Sequence, residues 1–218
     1  MKKLLLLGTS LFAALAANAT VVNLSGGEQD LQEIVDGTSI DIVADQLASD
    51  SYFSAPSLSG QMVIEIAGHA PNNAFGIYEQ GNTANKFEIF AGSAVANDVS
   101  GLIPLAWSSF GFYLTNLSAN FTWYSDALLN DGGQFDHFVT YKGTANETMS
   151  ASGITFGSND YLIGIEDLNL GDYDYNDMVV KVHVTPTVTT FNSVPDSGAT
   201  AALMGLGLCA LVALRRRK

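Results

Sequence analysis

From Gln61 to Val184 the chain is written in short alternating apolar segments parted by turn residues, and that rhythm restricts it to a β-rich fold. The segments are MVIEIAG (Met62–Gly68), AFGIYE (Ala74–Glu79), KFEIFAG (Lys86–Gly92), FGFYLTN (Phe110–Asn116), FTWYSD (Phe121–Asp126), HFVTYKG (His137–Gly143), YLIGI (Tyr161–Ile165) and MVVKVHV (Met178–Val184). Alternation with period two sends successive side chains to opposite faces of a strand. Between the segments stand HAPNN, QGNTAN, NDGGQ and GTANET. Their Gly, Pro, Asn and Asp supply positive φ, fixed φ, or side chains that bond their own backbone. Short strands in such number predict an all-β fold, a β-sandwich or jelly roll. No unit recurs at a constant period, which argues against a solenoid. Upstream, GGEQDLQEIVDG sets Leu31, Ile34 and Val35 at helical spacing and predicts one short N-terminal helix. The following SIDIVAD (Ser39–Asp45) alternates as a strand would.

The two ends of the chain carry addresses. Residues 1–19 open with Lys2 and Lys3, continue as an apolar run and close on Ala17-Asn18-Ala19, the layout of a secretory signal peptide with Thr20 as the first mature residue. At the other end, residues 198–214 (GATAALMGLGLCALVAL) form a second apolar run, at the short end of what spans a bilayer. Arg215, Arg216, Arg217 and Lys218 follow it as a basic cytoplasmic tail. Residues 20–185 are left as one extracellular domain, and residues 186–197 as a Thr/Ser/Pro linker.

Removing the ends changes the charge of what remains. Between Thr20 and Pro195 only Lys86, Lys142 and Lys181 stand against 21 acidic residues, a formal charge near −18 with histidine neutral. A domain of that charge repels nucleic acid and attracts cations. The single cysteine, Cys209, lies in the apolar tail. An exported domain of about 175 residues without cysteine must fold by burial, aided at most by metal.

The acids are not spread evenly. In GIEDLNLGDYDYNDMVVKV, Glu166, Asp167, Asp172, Asp174 and Asp177 fall within twelve residues, with Asn176 among them and no Lys or Arg. On one side Tyr161, Ile163 and Ile165 alternate. On the other, Val180, Val182 and Val184 alternate with Val179, Lys181 and His183, as in a strand with one buried face. The carboxylates therefore lie on the connection between two strands, where mutual repulsion opposes closure. A hard divalent cation relieves it, and calcium takes about six to eight oxygens from carboxylates, amides, carbonyls and water. Glu166, Asp167, Asp172, Asp174, Asn176 and Asp177 offer such oxygens, with no thiolate or imidazole to favour zinc. Asp172-x-Asp174-x-Asn176 matches the start of an EF-hand loop. Yet Asp177 stands where glycine is needed, His183 where the bidentate Glu belongs, and a strand follows instead of a helix. The alternative is an acidic turn that only solubilises the surface.

Two resemblances add to this. Val194-Pro195-Asp196-Ser197-Gly198, the apolar run and the terminal Arg cluster together resemble the PEP-CTERM type of sorting signal in its VPDSG variant. The resemblance implies a membrane-embedded exosortase as a transient partner. It also implies export through the inner membrane and a destination at the outer membrane, cell surface or exopolysaccharide matrix. The acidic stretch resembles the terminal signature of a bacterial extracellular family, the domain of unknown function 4114. Segments Glu65–Glu79 and Asn130–Tyr141 are similar to other parts of that family, so the resemblance runs over most of Gln61 to Val184. It implies a β-sandwich with calcium held by Glu166, Asp167, Asp172, Asp174, Asn176 and Asp177. Tyr175 stands where that family commonly has Phe.

Outside the acidic stretch, a few residues could also carry chemistry. Asp136-His137 sets a carboxylate near the same site, or is a turn aspartate followed by a strand histidine. His69 and His183 are expected in a turn and on a polar strand face, so the three histidines make no zinc site. Trp107, Trp123, Tyr113 and Tyr124 are sugar-stacking candidates or sandwich packing. No G-x-S-x-G, H-E-x-x-H or phosphate-binding glycine loop occurs, and the expectation is a protein that is not an enzyme. The reading is an exported, exosortase-sorted envelope or matrix protein with a structural calcium site. The alternatives are a carbohydrate-binding module that retains matrix polysaccharide, and a glycoside hydrolase.

Overall fold

A computed structural model of the chain describes residues 29–66, 70–130, 135–167 and 173–186. The chain divides into two compact units, Met1–Pro186 and Thr187–Lys218, and the second lies wholly outside the described residues. The expected signal peptide, the sorting motif, the apolar run 198–214 and the basic tail fall outside them too, as do His69 and Asp172. Among the described residues no helix is long and apolar enough to cross a membrane.

The expected helix is α1 (Leu31–Ile34), a single turn. Asp30 caps it by accepting the Glu33 N–H at 2.8 Å, and Leu31 and Ile34 are buried. Eleven strands follow among the described residues: β1 (Ser57–Glu65), β2 (Asn73–Glu79), β3 (Asn82–Phe90), β4 (Ile103–Pro104), β5 (Phe110–Asn116), β6 (Phe121–Tyr124), β7 (Phe138–Lys142), β8 (Glu147–Thr148), β9 (Thr155–Phe156), β10 (Asp160–Ile165) and β11 (Met178–Val184). All eight alternating segments are strands. The sequence pattern missed the two-residue strands β4, β8 and β9, which are too short to show a period.

One expectation is corrected. Ser39–Asp45 is not a strand: Asp41 Oδ1 accepts the N–H groups of Val43 and Ala44, both at 2.9 Å, and the Asp45 N–H donates to the Asp41 carbonyl. An aspartate that bonds the backbone two and three residues on folds the chain into a turn, whatever the alternation says.

The strands form a sandwich. One sheet has the order β4-β1-β11-β10-β7 and the other β3-β2-β5-β6, with β8-β9 as a separate ribbon. Met62, Ile163, Ile165, Met178, Val180 and Val182 of the first sheet face Phe75, Ile77, Phe112, Leu114 and Trp123 of the second in one apolar cluster. The first sheet buries its other face as well. Val63, Val139, Tyr141, Leu162 and Val179 pack there against Leu31, Ile34, Ile42, Met149, Ile154 and Phe156. Val179 thus departs from the polar face expected of it, because α1 and the β8–β9 ribbon cover that side. Burial on both faces explains why the β10 and β11 segments are so continuously apolar.

Register aims particular side chains in both sheets. The β1–β11 pairing slips between Met62 and Ile64, so that Glu65 comes opposite Met178. Without this bulge Glu65 would share the side of Val63. With it Glu65 shares the side of Met178, at the end of the core between the sheets. In the second sheet, Gly76 pairs with Tyr113 and Gly111 with Tyr78. Each tyrosine ring lies over the glycine opposite, within 2.7 Å of where a Cβ would stand, so neither glycine tolerates a side chain.

Candidate metal centre

Strand β10 runs out of the core as Ile163, Ile165 and then Asp167, which keeps the same parity and carries its carboxylate to the end of the space between the sheets. Asp167 is buried there, 2 % exposed. From the opposite sheet Asn73, at the start of β2, donates its amide to Asp167 Oδ2 at 2.9 Å. Trp123 of β6 donates its indole N–H to the Asp167 carbonyl at 3.3 Å. Asp177, just before β11, accepts the Asp167 N–H through Oδ2 at 2.9 Å. Its own carbonyl accepts the Ile66 N–H at 3.0 Å. Glu65, re-aimed by the bulge, completes the group.

The electrostatics of this group are unfavourable without a counter-ion. Burial pushes the Glu65 carboxyl up to about 7, and the charges of Asp167 and Asp177 add to the shift, against partial relief from the Asn73 amide. Glu65 Oε1 and Asn73 Oδ1 are both buried acceptors that close no hydrogen bond. The three lysines of the domain are engaged elsewhere. Lys86 lies over the Tyr113 and Tyr124 rings, Lys142 over Tyr161, and Lys181 donates to the Thr155 carbonyl.

The other predicted ligands form a second group behind the first. Glu166 turns away from Asp167, as consecutive residues of an extended chain do, and accepts the Tyr175 N–H through Oε1 at 2.8 Å. Asn176 donates to Asp174 Oδ2 at 2.8 Å and to the Gln29 carbonyl at 3.0 Å. Tyr173 and Tyr175 take left-handed backbone, φ 63° and 53°, a rare conformation for bulky residues. Tyr175 is held there by burial and by its hydroxyl, which donates to the Asp136 carbonyl at 2.9 Å. Glu166, Asp174 and Asn176 are each less than a tenth exposed.

The structure therefore splits the predicted set. Asp167 and Asp177 come together with Glu65 and Asn73, while Glu166, Asp174 and Asn176 gather around Tyr175, and Asp172 lies outside the described residues. Among the described residues no three acidic or histidine side chains converge closely enough to form a metal cage by themselves. A calcium site here has to draw on amide and backbone oxygens besides carboxylates, as such sites commonly do. Glu65 and Asn73 are the members that sequence reasoning missed. No signal within their own segments singles them out as ligands.

The remaining candidates fall into place around this end. Asp136 Oδ1 accepts the Phe138 N–H, as a turn aspartate does. His137 is buried, stacks on Trp123 with ring centroids 3.8 Å apart, and sets Nδ1 at 3.2 Å from the Glu166 carbonyl. His183 is exposed and places Nδ1 at 2.6 Å from Asp160 Oδ1. Trp123 and Tyr113 are buried, and Trp107 and Tyr124 are partly exposed. A surface cleft of about 210 Å³ is lined by Gln29, Ile34, Val63, Ile64, Asn97 and Ser152, and it borders the second group where the Gln29 carbonyl accepts the Asn176 amide.

Comparison with known families agrees with the two resemblances. Residues 106–185 match the model of a domain of unknown function (DUF4114), and residues 193–218 match the VPDSG-CTERM motif. The first match spans β5 to β11 and the whole acidic connection. It starts downstream of Glu65 and Asn73, so the partners that β1 and β2 bring to Asp167 lie outside it. No curated protein matches the chain. The sorting motif marks the chain as an exported protein that an exosortase processes, anchored transiently in the membrane on its way to the cell surface.

Proposed function

We propose that this exported, exosortase-sorted chain is a non-enzymatic envelope or matrix protein whose β-sandwich is closed at one end by calcium. The observation that carries the reading is the burial of Asp167 between the sheets, with Asp177 and Glu65 beside it and two buried acceptors, Glu65 Oε1 and Asn73 Oδ1, left without donors. Like charges in a partly dry site are tolerated when a cation shares them. Calcium is abundant outside the cell and is commonly bound there at about 10⁻⁴–10⁻³ M. The ion would tie β1, β2 and the β10–β11 connection together, holding both sheets at one point. Isothermal titration of the metal-stripped protein with calcium tests this. Heat of binding that Asp167→Asn removes is the expected result, and an absence of heat in the wild type refutes it.

Retention of matrix polysaccharide is the competing role, separable by a pull-down on the cell's own exopolysaccharide. Burial of Trp123 and Tyr113 takes two of the four stacking candidates away from such a surface, which favours the structural reading.

A further inference from the structure

The two sheets end on β4, β7, β3 and β6, and three of these edges are covered or cut short. Beside β7, Gln46 bridges to Tyr141 and the Leu47 N–H donates to the Thr140 carbonyl at 2.9 Å. Strand β4 is two residues long, and past it the outer side of β1 is taken by residues 97–100. There the Asn97 N–H donates to the Met62 carbonyl at 2.8 Å and the Ser100 N–H to the Gly60 carbonyl at 2.9 Å. On β6 the Asn130 side chain holds the Tyr124 N–H at 2.8 Å and the Tyr124 carbonyl at 2.9 Å. The fourth edge is β3, nine residues long. Among the described residues its backbone bonds to β2 alone. An open strand edge is a template for another strand.

The middle of β3 is regular. The β2–β3 register shifts between Phe75 and Gly76 and again between Tyr78 and Glu79, which leaves Lys86, Phe87 and Glu88 as an unbroken run opposite Tyr78, Ile77 and Gly76. Phe87 shares the side of Ile77, yet it stands at the rim of the core and is 47 % exposed. Lys86 and Glu88 share the outer face, and neither forms an ion pair among the described residues. Lys86 sets its Nζ over the Tyr113 and Tyr124 rings, 4.7 and 4.8 Å from their centroids. This run is complementary to itself. An antiparallel copy related by a two-fold axis at Phe87 brings Lys86 opposite the copy's Glu88 and Glu88 opposite the copy's Lys86. The two exposed Phe87 rings then meet side by side. Opposite charges directly across a ladder and paired aromatic rings both favour strand pairing. An axis at Lys86 or at Glu88 would set like charges against each other, so the charges select the register.

We infer that β3 is the pairing edge for a second copy of this chain, joining two four-stranded sheets into one continuous sheet. The contact uses the same run on both copies, so it closes as a pair and does not propagate. It does not depend on the calcium reading.

The test is sedimentation equilibrium of the exported protein, with calcium present, over a series of concentrations. The wild type is compared with Phe87→Glu, Glu88→Lys and the double exchange Lys86→Glu/Glu88→Lys. The wild type should pass from monomer to dimer as its concentration rises. Glu88→Lys leaves Lys86 on its tyrosines but sets lysines opposite one another, and should weaken the dimer about tenfold. Phe87→Glu should weaken it at least as much. The double exchange restores opposite charges in the reverse sense and should return the dissociation constant to within about threefold of the wild type. A wild type that stays monomeric up to its solubility overturns the inference. So does a dimer that Glu88→Lys and Phe87→Glu both leave unchanged, because the contact then lies on another surface. A dimer that Glu88→Lys weakens and the double exchange fails to rescue overturns the pairing about Phe87.

Discussion

The substitution Asp177→Asn separates a ligand from an ordinary surface acid by giving shifts of opposite sign. Asparagine keeps an oxygen to accept the Asp167 N–H, so the backbone link survives. What is lost is one negative charge beside Glu65 and Asp167. In chelator that loss should help. The Glu65 carboxyl is pushed up to about 7, and one pKa unit is worth about 1.4 kcal/mol. Burial is the main cause and Asp177 a lesser one, and Glu65 is partly solvated, so relief of about 0.5 kcal/mol is a fair expectation. In calcium the sign reverses. At about 100 times Kd the wild type gains roughly 2.7 kcal/mol, and a tenfold weaker variant at the same calcium gains about 1.4. With roughly 2–4 °C per kcal/mol, calcium should raise the wild-type Tm by about 5–11 °C and the variant by about 3–6 °C, while the variant melts about 1–2 °C higher in chelator. Thermal melts of metal-stripped protein with and without calcium read all of this, and magnesium should do less because it resists dehydration. Equal melting temperatures of the wild type in calcium and in chelator would end the calcium reading. A variant that melts lower in chelator would refute the repulsion argument.

Other outcomes are expected from the same structure. Asp50 and Glu65 are both raised to about 7, Asp50 mainly by burial and then by Asp136. Raised carboxylates contribute stability that is complete below about pH 4 and lost as pH rises through about 7, so melts in chelator should fall over that window and calcium should flatten the slope. Gly76→Ala places a Cβ 2.2 Å from the Phe87 carbonyl oxygen and should cost about 1–3 kcal/mol or more in denaturant unfolding, with calcium affinity of the folded fraction unchanged. Tyr175→Phe removes the hydroxyl that donates to the Asp136 carbonyl and should cost about 1 kcal/mol by the same measurement. Deleting Gly198–Lys218 should move the protein from the membrane fraction to the soluble one, and intact mass of the exported protein should lack the RRRK terminus. Recovery of mature protein with Lys218 attached would contradict processing at the sorting motif.

Local pattern was enough to read much of this protein. The alternating segments, the turn clusters and the acidic connection between β10 and β11 are properties of neighbouring residues, because a strand's period and a turn's φ are set within a few positions. The sorting motif near the C-terminus is likewise linear. Ser39–Asp45 shows where local pattern fails, since a single Asp41 side chain outweighs an alternation that only suggests a strand. The candidate centre was legible only in part. Asp167 could be found from its neighbours. Asn73, 94 positions away in sequence, could not, because pairing across the sandwich brings it there. Glu65 reaches the site through a bulge that reverses the parity its own segment implies. Sequence alone determined the eight longer strands and where charge accumulates, and tertiary structure decided which oxygens meet, because sheet register and sandwich closure act between residues far apart in the chain.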